Sequence, residues 1–168
     1  AHHLNEKSVL ERLNHRELLE VLMHRVISLD PGFNYSGPYR FFGSLYTRIP
    51  GVELTQSETY FKQAISSNSN YLGNLVSMAE YFHQKKGNRE QFHKILLEVS
   101  KNDLDQFPEI MNQNYFSKNY SLELLEKESL LFEWSKNNIK TEKLYEKDNS
   151  VNHIKFYLWP DKWSFFQG

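Results

Sequence analysis

Apolar residues recur at helical steps from near the start of the chain. Leu10, Leu18, Leu22, Val26 and Leu29 follow one another at sums of three and four residues, which predicts a helix over Ser8 to Asp30. Ser8 and Glu11 have the spacing of a capping box at its start, and Asn14-His15 is a candidate break within it. Pro31-Gly32 should end it. A loop rich in turn residues is expected from Pro31 to Pro38, then a short apolar segment from Tyr39 to Ile49, closed by Pro50-Gly51. Thr55 with Glu58 resembles a second capping box, opening a helix that carries Tyr60, Phe61, Ala64 and Ile65. Asn70 is positioned to cap the next helix, Tyr71 to Lys86, with Leu72, Leu75, Val76, Ala79 and Phe82 along one side. Gly87-Asn88 stops that helix and caps a successor bearing Phe92, Ile95, Leu96 and Val99. A last helical stretch runs from Pro108 to Trp134 and holds Leu122, Leu124, Leu125, Leu130 and Leu131.

About six helices with short connections predict an all-α domain. Their spacing also repeats. Val26-Ile27-Ser28 aligns with Ala64-Ile65-Ser66 at an offset of 38, and Tyr60 and Ala64 align with Phe92 and Leu96 at an offset of 32. Offsets of that size suit degenerate stacked helix pairs of the tetratricopeptide (TPR-like) kind, each pair covering its neighbour's apolar face. The domain expected is therefore 8–134. The remainder, 135–168, reads as a polar linker followed by an extended aromatic C-terminal tail. Ile154, Phe156 and Leu158 alternate with Lys155 and Tyr157, which predicts a short strand over 153–159. Trp159, Trp163, Phe165 and Phe166 add apolar mass that suits docking, onto the domain or onto a neighbouring subunit.

Composition narrows the function classes. The chain has 168 residues, enough for one domain with a core. Its formal charge of −1 provides no excess of Lys and Arg to displace counterions, which argues against nucleic acid as a partner. Without cysteine, the chain has no disulfides, thiol catalysis or thiolate metal sites. No apolar stretch approaches the roughly 20 residues of a membrane span. Ala1-His2-His3 looks like the remnant of a purification tag, and no signal peptide is expected at the start.

Seven histidines raise a metal hypothesis, which their spacing discourages. His15 and His24 are nine residues apart, and His83 and His93 are ten apart. Neither pair has the i, i+4 spacing that aims two imidazoles at one ion. No phosphate-cradling glycine loop, nucleophile elbow or other catalytic constellation is visible, so no enzyme activity, metal or cofactor is expected. Aromatic residues are the unusual feature, at 15% with ten Tyr and twelve Phe. They are densest from Phe33 to Tyr46, where Arg40, Gly37 and Gly43 accompany them. One reading of that segment is a ligand pocket in which Arg40 clamps a ligand's anionic handle. The other is that Arg40 bonds free carbonyls and ties the loop down while the rings pack.

The same segment carries a family resemblance. Tyr35-Ser36-Gly37-Pro38-Tyr39-Arg40, Gly43-Ser44-Leu45-Tyr46 and Pro50-Gly51 resemble the central motif of the T-component (TatT-like) proteins of TRAP transporters. Tyr60 to Ile65, Ala79-Glu80-Tyr81, a helix with Phe92, and then Asn114, Ser117 and Ser121 before Leu124-Leu125 are similar in the same order. The likeness covers roughly Leu18 to Trp134. Ser36 departs from it, standing where the family tends to have glycine. The resemblance implies a periplasmic, often lipid-anchored helical accessory. It would associate with the transporter's substrate-binding protein, and some members form homo-oligomers, trimers with a pore through each subunit. It also implies a small hydrophobic or carboxylate ligand, for which Tyr35, Gly37, Tyr39, Arg40, Tyr46 and Asn114 are the candidate binding residues. Two rivals are a generic TPR-like scaffold for protein partners and an enzyme whose site assembles only in three dimensions.

Overall fold

A computed structural model describes residues 9–49 and 52–133. The Ser8–Glu11 capping box, the linker, the 153–159 strand and the aromatic tail lie outside the described residues. Those described contain helices, turns and no strand. In order they are α1 (Val9–Leu29), α2 (Phe33–Tyr46), α3 (Leu54–Ser67), α4 (Leu72–Ser77), a π-helical segment (Met78–His83), α5 (Gln84–Lys86) and α6 (Arg89–Lys101). Two 3-10 turns, Leu104–Gln106 and Pro108–Ile110, lead into α7 (Met111–Glu126), and helix resumes over 128–133. The all-α class is therefore as the spacing predicts.

Several local expectations are corrected. α1 runs unbroken through Asn14-His15, since neither residue removes a backbone donor as proline would. The expected loop to Pro38 is instead mostly inside α2. Asn34, Tyr35 and Ser36 form a left-handed turn there (φ 48°, 55° and 62°), and Pro38 follows in the right-handed part. α3 starts one residue before Thr55, at Leu54, and has no side-chain cap. Thr55 bonds the Glu53 carboxylate and Glu58 pairs with Lys62, so no capping box forms. Nor does Asn70 cap α4. That helix begins at Leu72, and its Leu72 N–H donates to Asn114 Oδ1 at 3.0 Å, a cap supplied from α7. Gly87 does end α5 in the left-handed region (φ 72°), and Asn88 Oδ1 accepts from Gln91 N–H at the start of α6.

α4, the π-helical segment and α5 form one continuous rod that contributes to two cores. Leu72, Val76 and Ala79 pack with Phe92, Leu96 and Val99 of α6, Leu124 of α7 and Phe132. Met78 and Phe82 pack with Phe61 of α3. A π-helical stretch puts an extra residue into the turn, which lets Met78, Ala79, Phe82 and His83 all be buried although they face different neighbours. α7 has polar side chains on its buried face, Asn114, Ser117 and Ser121. The two serine hydroxyls donate to the carbonyls of Gln113 (3.0 Å) and Lys118 (2.6 Å), so burial leaves them satisfied. Tyr115, Phe116 and Leu122 of the same helix are exposed.

Two buried groups make the domain acid-sensitive. Glu128, 8% exposed, accepts from Arg89 Nε and lies 2.7 Å from His93 Nδ1, which joins the start of α6 to the last described helical turn. Burial raises the Glu128 pKa, but the bonds from Arg89 and His93 outweigh it and hold the carboxyl below its ordinary value. His83 is also 8% exposed, and its Nδ1 meets no partner among the described residues. Burial, and then Lys86, hold its ring below the ordinary histidine value, while Glu58 pulls the other way. Both shifts are depressions, so both make the folded state bind fewer protons than the unfolded one. The His83 contribution is present above about pH 6.5 and is lost as pH falls below it. The Glu128 contribution is present above about pH 4.3 and is lost as pH falls through its folded value. Urea midpoints should therefore fall in two stages between pH 7 and pH 3. Glu128→Gln should cost on the order of 1 kcal/mol at pH 7 and make the lower stage shallower without touching the upper one, since Glu58, held below its ordinary value by Lys62, still contributes there. A Glu128→Gln midpoint that still falls as steeply as wild type below pH 4.5 would contradict this assignment of the lower stage.

Candidate functional site

The left-handed turn in α2 is the most constrained piece of backbone described. Each non-glycine residue in that region costs about 1–2 kcal/mol, so three in a row persist only because their surroundings hold them. Tyr35 carbonyl oxygen accepts from Arg40 Nη1 (3.3 Å) and from Asn74 Nδ2 (3.2 Å). Ser36 is fully buried, and its Oγ accepts from Asn68 Nδ2 at 2.6 Å. Ser36, the position where the resemblance expects glycine, thus adopts a glycine-type φ of 62°. Its hydroxyl bond is a stabilisation glycine could not provide.

Arg40 and Asn74 lie at the centre of this arrangement. Arg40 Nη1 donates to Asn74 Oδ1 at 2.6 Å. Asn74 is fully buried in the first turn of α4, and its Nδ2 also donates to the carbonyls of Ala64 (2.9 Å) and Asn68 (3.4 Å). One amide therefore joins α4, the end of α3 and the left-handed turn. The Arg40 guanidinium carbon lies 5.0 Å from the centroid of the Tyr71 ring, and the Tyr35 ring stacks on Tyr71 at 4.7 Å and 16°. A Cβ at Gly73 would come within 2.6 Å of the Tyr71 ring, so glycine is what allows that ring to lie back over the start of α4. Burial lowers the Arg40 pKa, with the Tyr71 phenol acting in the other direction. The group still carries its charge at neutral pH, as arginine does in proteins. Among the described residues no carboxylate pairs with it, and neither Nε nor Nη2 has a hydrogen-bond acceptor. Both sequence readings of Arg40 have a counterpart here, since the same guanidinium ties the turn down and keeps an unpaired charge.

The six residues selected from sequence separate into three places. Tyr35, Gly37 and Arg40 share the site just described, with a Gly37 Cβ position 3.6 Å from Arg40 Nη2. Tyr39 and Tyr46 are on another face of α2, in a ring cluster around the fully buried Phe42. Tyr60 of α3 lies 5.0 Å from Phe42, 5.5 Å from Tyr46 and 6.4 Å from Tyr39. His24 of α1 approaches Phe42 to 4.4 Å. Asn114 belongs to neither group. Besides capping Leu72 it donates to the Asn70 carbonyl at 2.9 Å, which pins α7 to the start of α4. Sequence alone does not single out Asn74 and Tyr71. An asparagine near a helix start reads locally as a cap or turn residue, and nothing local reveals that its partners are 34 to 39 residues away.

Other chemistry is sparse. Among the described residues no group of three or more His, Cys, Asp or Glu could hold a metal ion. Tyr120 donates to Glu80 at 2.7 Å, and burial together with that carboxylate pushes its phenol far above the ordinary range. A tyrosine so disposed is a hydrogen-bond donor to Glu80 rather than a base.

A profile of the TRAP transporter T-component family matches residues 3–132, more than three quarters of the chain. The chain belongs to that family. No curated protein matches it. As a T-component, it falls among the accessory components of TRAP transporters, a family not known for catalysis. Among the described residues of this T-component, no helix is long and apolar enough to cross a membrane.

Proposed function

We propose that this T-component is a non-catalytic binding accessory of a periplasmic TRAP-type uptake system. It associates with the transporter's substrate-binding protein and holds a small ligand, an apolar body with a carboxylate, at Arg40. The observation that carries the ligand reading is the half-buried Arg40 guanidinium without an anionic partner among the described residues. A desolvated charge left unpaired is costly, and a ligand carboxylate would relieve that cost. Tyr35 and Tyr71 supply ring surface beside the guanidinium. The apolar body would lie against those two rings, and the cluster of Tyr39, Tyr46 and Tyr60, on another face of α2, takes no part in this contact. Asn114 contributes by fixing the start of α4, on which Asn74 stands.

Exposed apolar side chains favour the association with a protein partner. Leu18, Val21, Leu22 and Leu29 lie on α1 at steps of three, one and seven residues and are 49–68% exposed. Contiguous exposed apolar surface of that kind marks interaction faces. A TPR-like scaffold that acts through such faces alone is the second reading. Native mass spectrometry before and after delipidation separates the two. A bound small molecule, lost on delipidation and poorly retained by Arg40→Ala, is the expected result. A clean apo mass in both spectra would remove the ligand site and leave the scaffold.

A further inference from the structure

The side of the Arg40 guanidinium that faces the protein is held by neutral groups. Nη1 donates to the Asn74 side-chain oxygen and to the Tyr35 carbonyl, and neither cancels its charge. The other edge, Nε with Nη2, has no acceptor among the described residues, and it borders Gly37 and the Tyr71 ring. Two parallel N–H donors on one edge fit the two coplanar oxygens of a carboxylate. A single positive charge matches a monoanion and leaves a phosphate dianion half compensated.

Asn74 has the chemistry to set this up. An aspartate in its place would put a carboxylate against Nη1 and neutralise the site from within. It would also turn an oxygen toward the carbonyls of Ala64, Tyr35 and Asn68, where the amide now donates. The amide's two N–H groups are shared among those three carbonyls, the longest contact being to Asn68 at 3.4 Å, while its oxygen accepts from the guanidinium.

We infer that Asn74 is the positioning residue of this site: it turns the inner edge of Arg40 into the protein, leaves its charge uncompensated, and presents the Nε–Nη2 edge to a monocarboxylate. The inference rests on the ligand reading above and adds to it the residue that sets the selectivity. The test follows the Arg40 Nε–H resonance by 15N NMR while sodium benzoate, inorganic phosphate or tetramethylammonium chloride is added at constant ionic strength. In wild type, benzoate shifts the resonance saturably, phosphate at least about tenfold more weakly, and tetramethylammonium not at all. Asn74→Asp, with Arg40 intact, weakens benzoate by about tenfold or more. Should Asn74→Asp not fold, Asn74→Ser provides the comparison. It adds no charge beside Arg40 but loses the amide's hold, so benzoate weakens while the Nε–H line broadens. No benzoate response in wild type would overturn the ligand reading itself. Benzoate binding within twofold of wild type in a folded Asn74→Asp protein, or in Asn74→Ser if that is the one that folds, would overturn only the role of Asn74. Phosphate binding as tightly as benzoate would overturn the monocarboxylate assignment.

Discussion

Phe92→Ala is expected to destabilise the domain by about 3–5 kcal/mol, the cost of emptying a large, fully enclosed site in a core. Phe92 is fully buried at the meeting point of α4, α6 and the last described helical turn, with its ring 5.2 Å from Phe132 in an edge-to-face contact. Its neighbours Leu96 and Val99 are also fully buried, on the same face of α6. They are anchored by backbone hydrogen bonds, so they cannot close the cavity that truncation would open. A loss of that size corresponds to a fall in Tm on the order of 10–20 °C. Thermal unfolding followed by circular dichroism measures it. Phe92→Leu, which keeps most of the volume, should recover more than half. A fall of only a few degrees for Phe92→Ala would mean that this cluster is not the main support of the domain.

The Phe92 helix was legible because every feature that defines it is local. Phe92, Leu96 and Val99 recur at helical spacing, Asn88 caps the start and Gly87 ends the helix before it. α7 was legible only in part. Its buried stripe is Asn114, Ser117, Ser121 and Leu124 while Tyr115, Phe116 and Leu122 face outward, so a rule that places apolar residues inside finds Leu124 but misassigns the first turns. The failed cap at Asn70 has the same origin. Chain-local chemistry pointed to the nearest asparagine, whereas the group that caps Leu72 arrives from 42 residues further along.

The candidate site shows that limit more sharply. Its aromatic and glycine content pointed to the correct stretch of chain, and Arg40 was the correct charge to single out. A linear segment nevertheless cannot show that Tyr39 and Tyr46 sit on a different helix face from Arg40, since Pro31 to Pro38 read as loop and concealed where α2 begins. A left-handed turn over Asn34, Tyr35 and Ser36 has no sequence signature without glycine, because its stability comes from Asn68, Asn74 and Arg40.

The second large effect concerns the contact between α2 and α3, which holds one wall of that site. A Cβ on Gly43 would fall 2.8 Å from the Phe61 ring, closer than such contacts occur in real proteins. Ser57 Oγ donates to the Gly43 carbonyl at 2.7 Å, so the two helices are also bonded where they come closest. Phe61 is fully buried against Met78 and Phe82, and its ring cannot swing aside. Gly43→Ala should therefore cost about 1–3 kcal/mol despite alanine's better helix propensity, which is worth at most about 1 kcal/mol. Phe61→Leu alone should also destabilise, by leaving unfilled volume. Together the two should compensate, because the methyl added at Gly43 occupies space the ring has vacated. Urea denaturation of both single variants and the double would close the cycle, with the double more stable than the sum of the singles by about 1 kcal/mol or more. Simple additivity would mean that the helices separate to admit the methyl. The Ser57 bond to Gly43 would then have to break, and Ser57→Ala would cost nothing in the Gly43→Ala background.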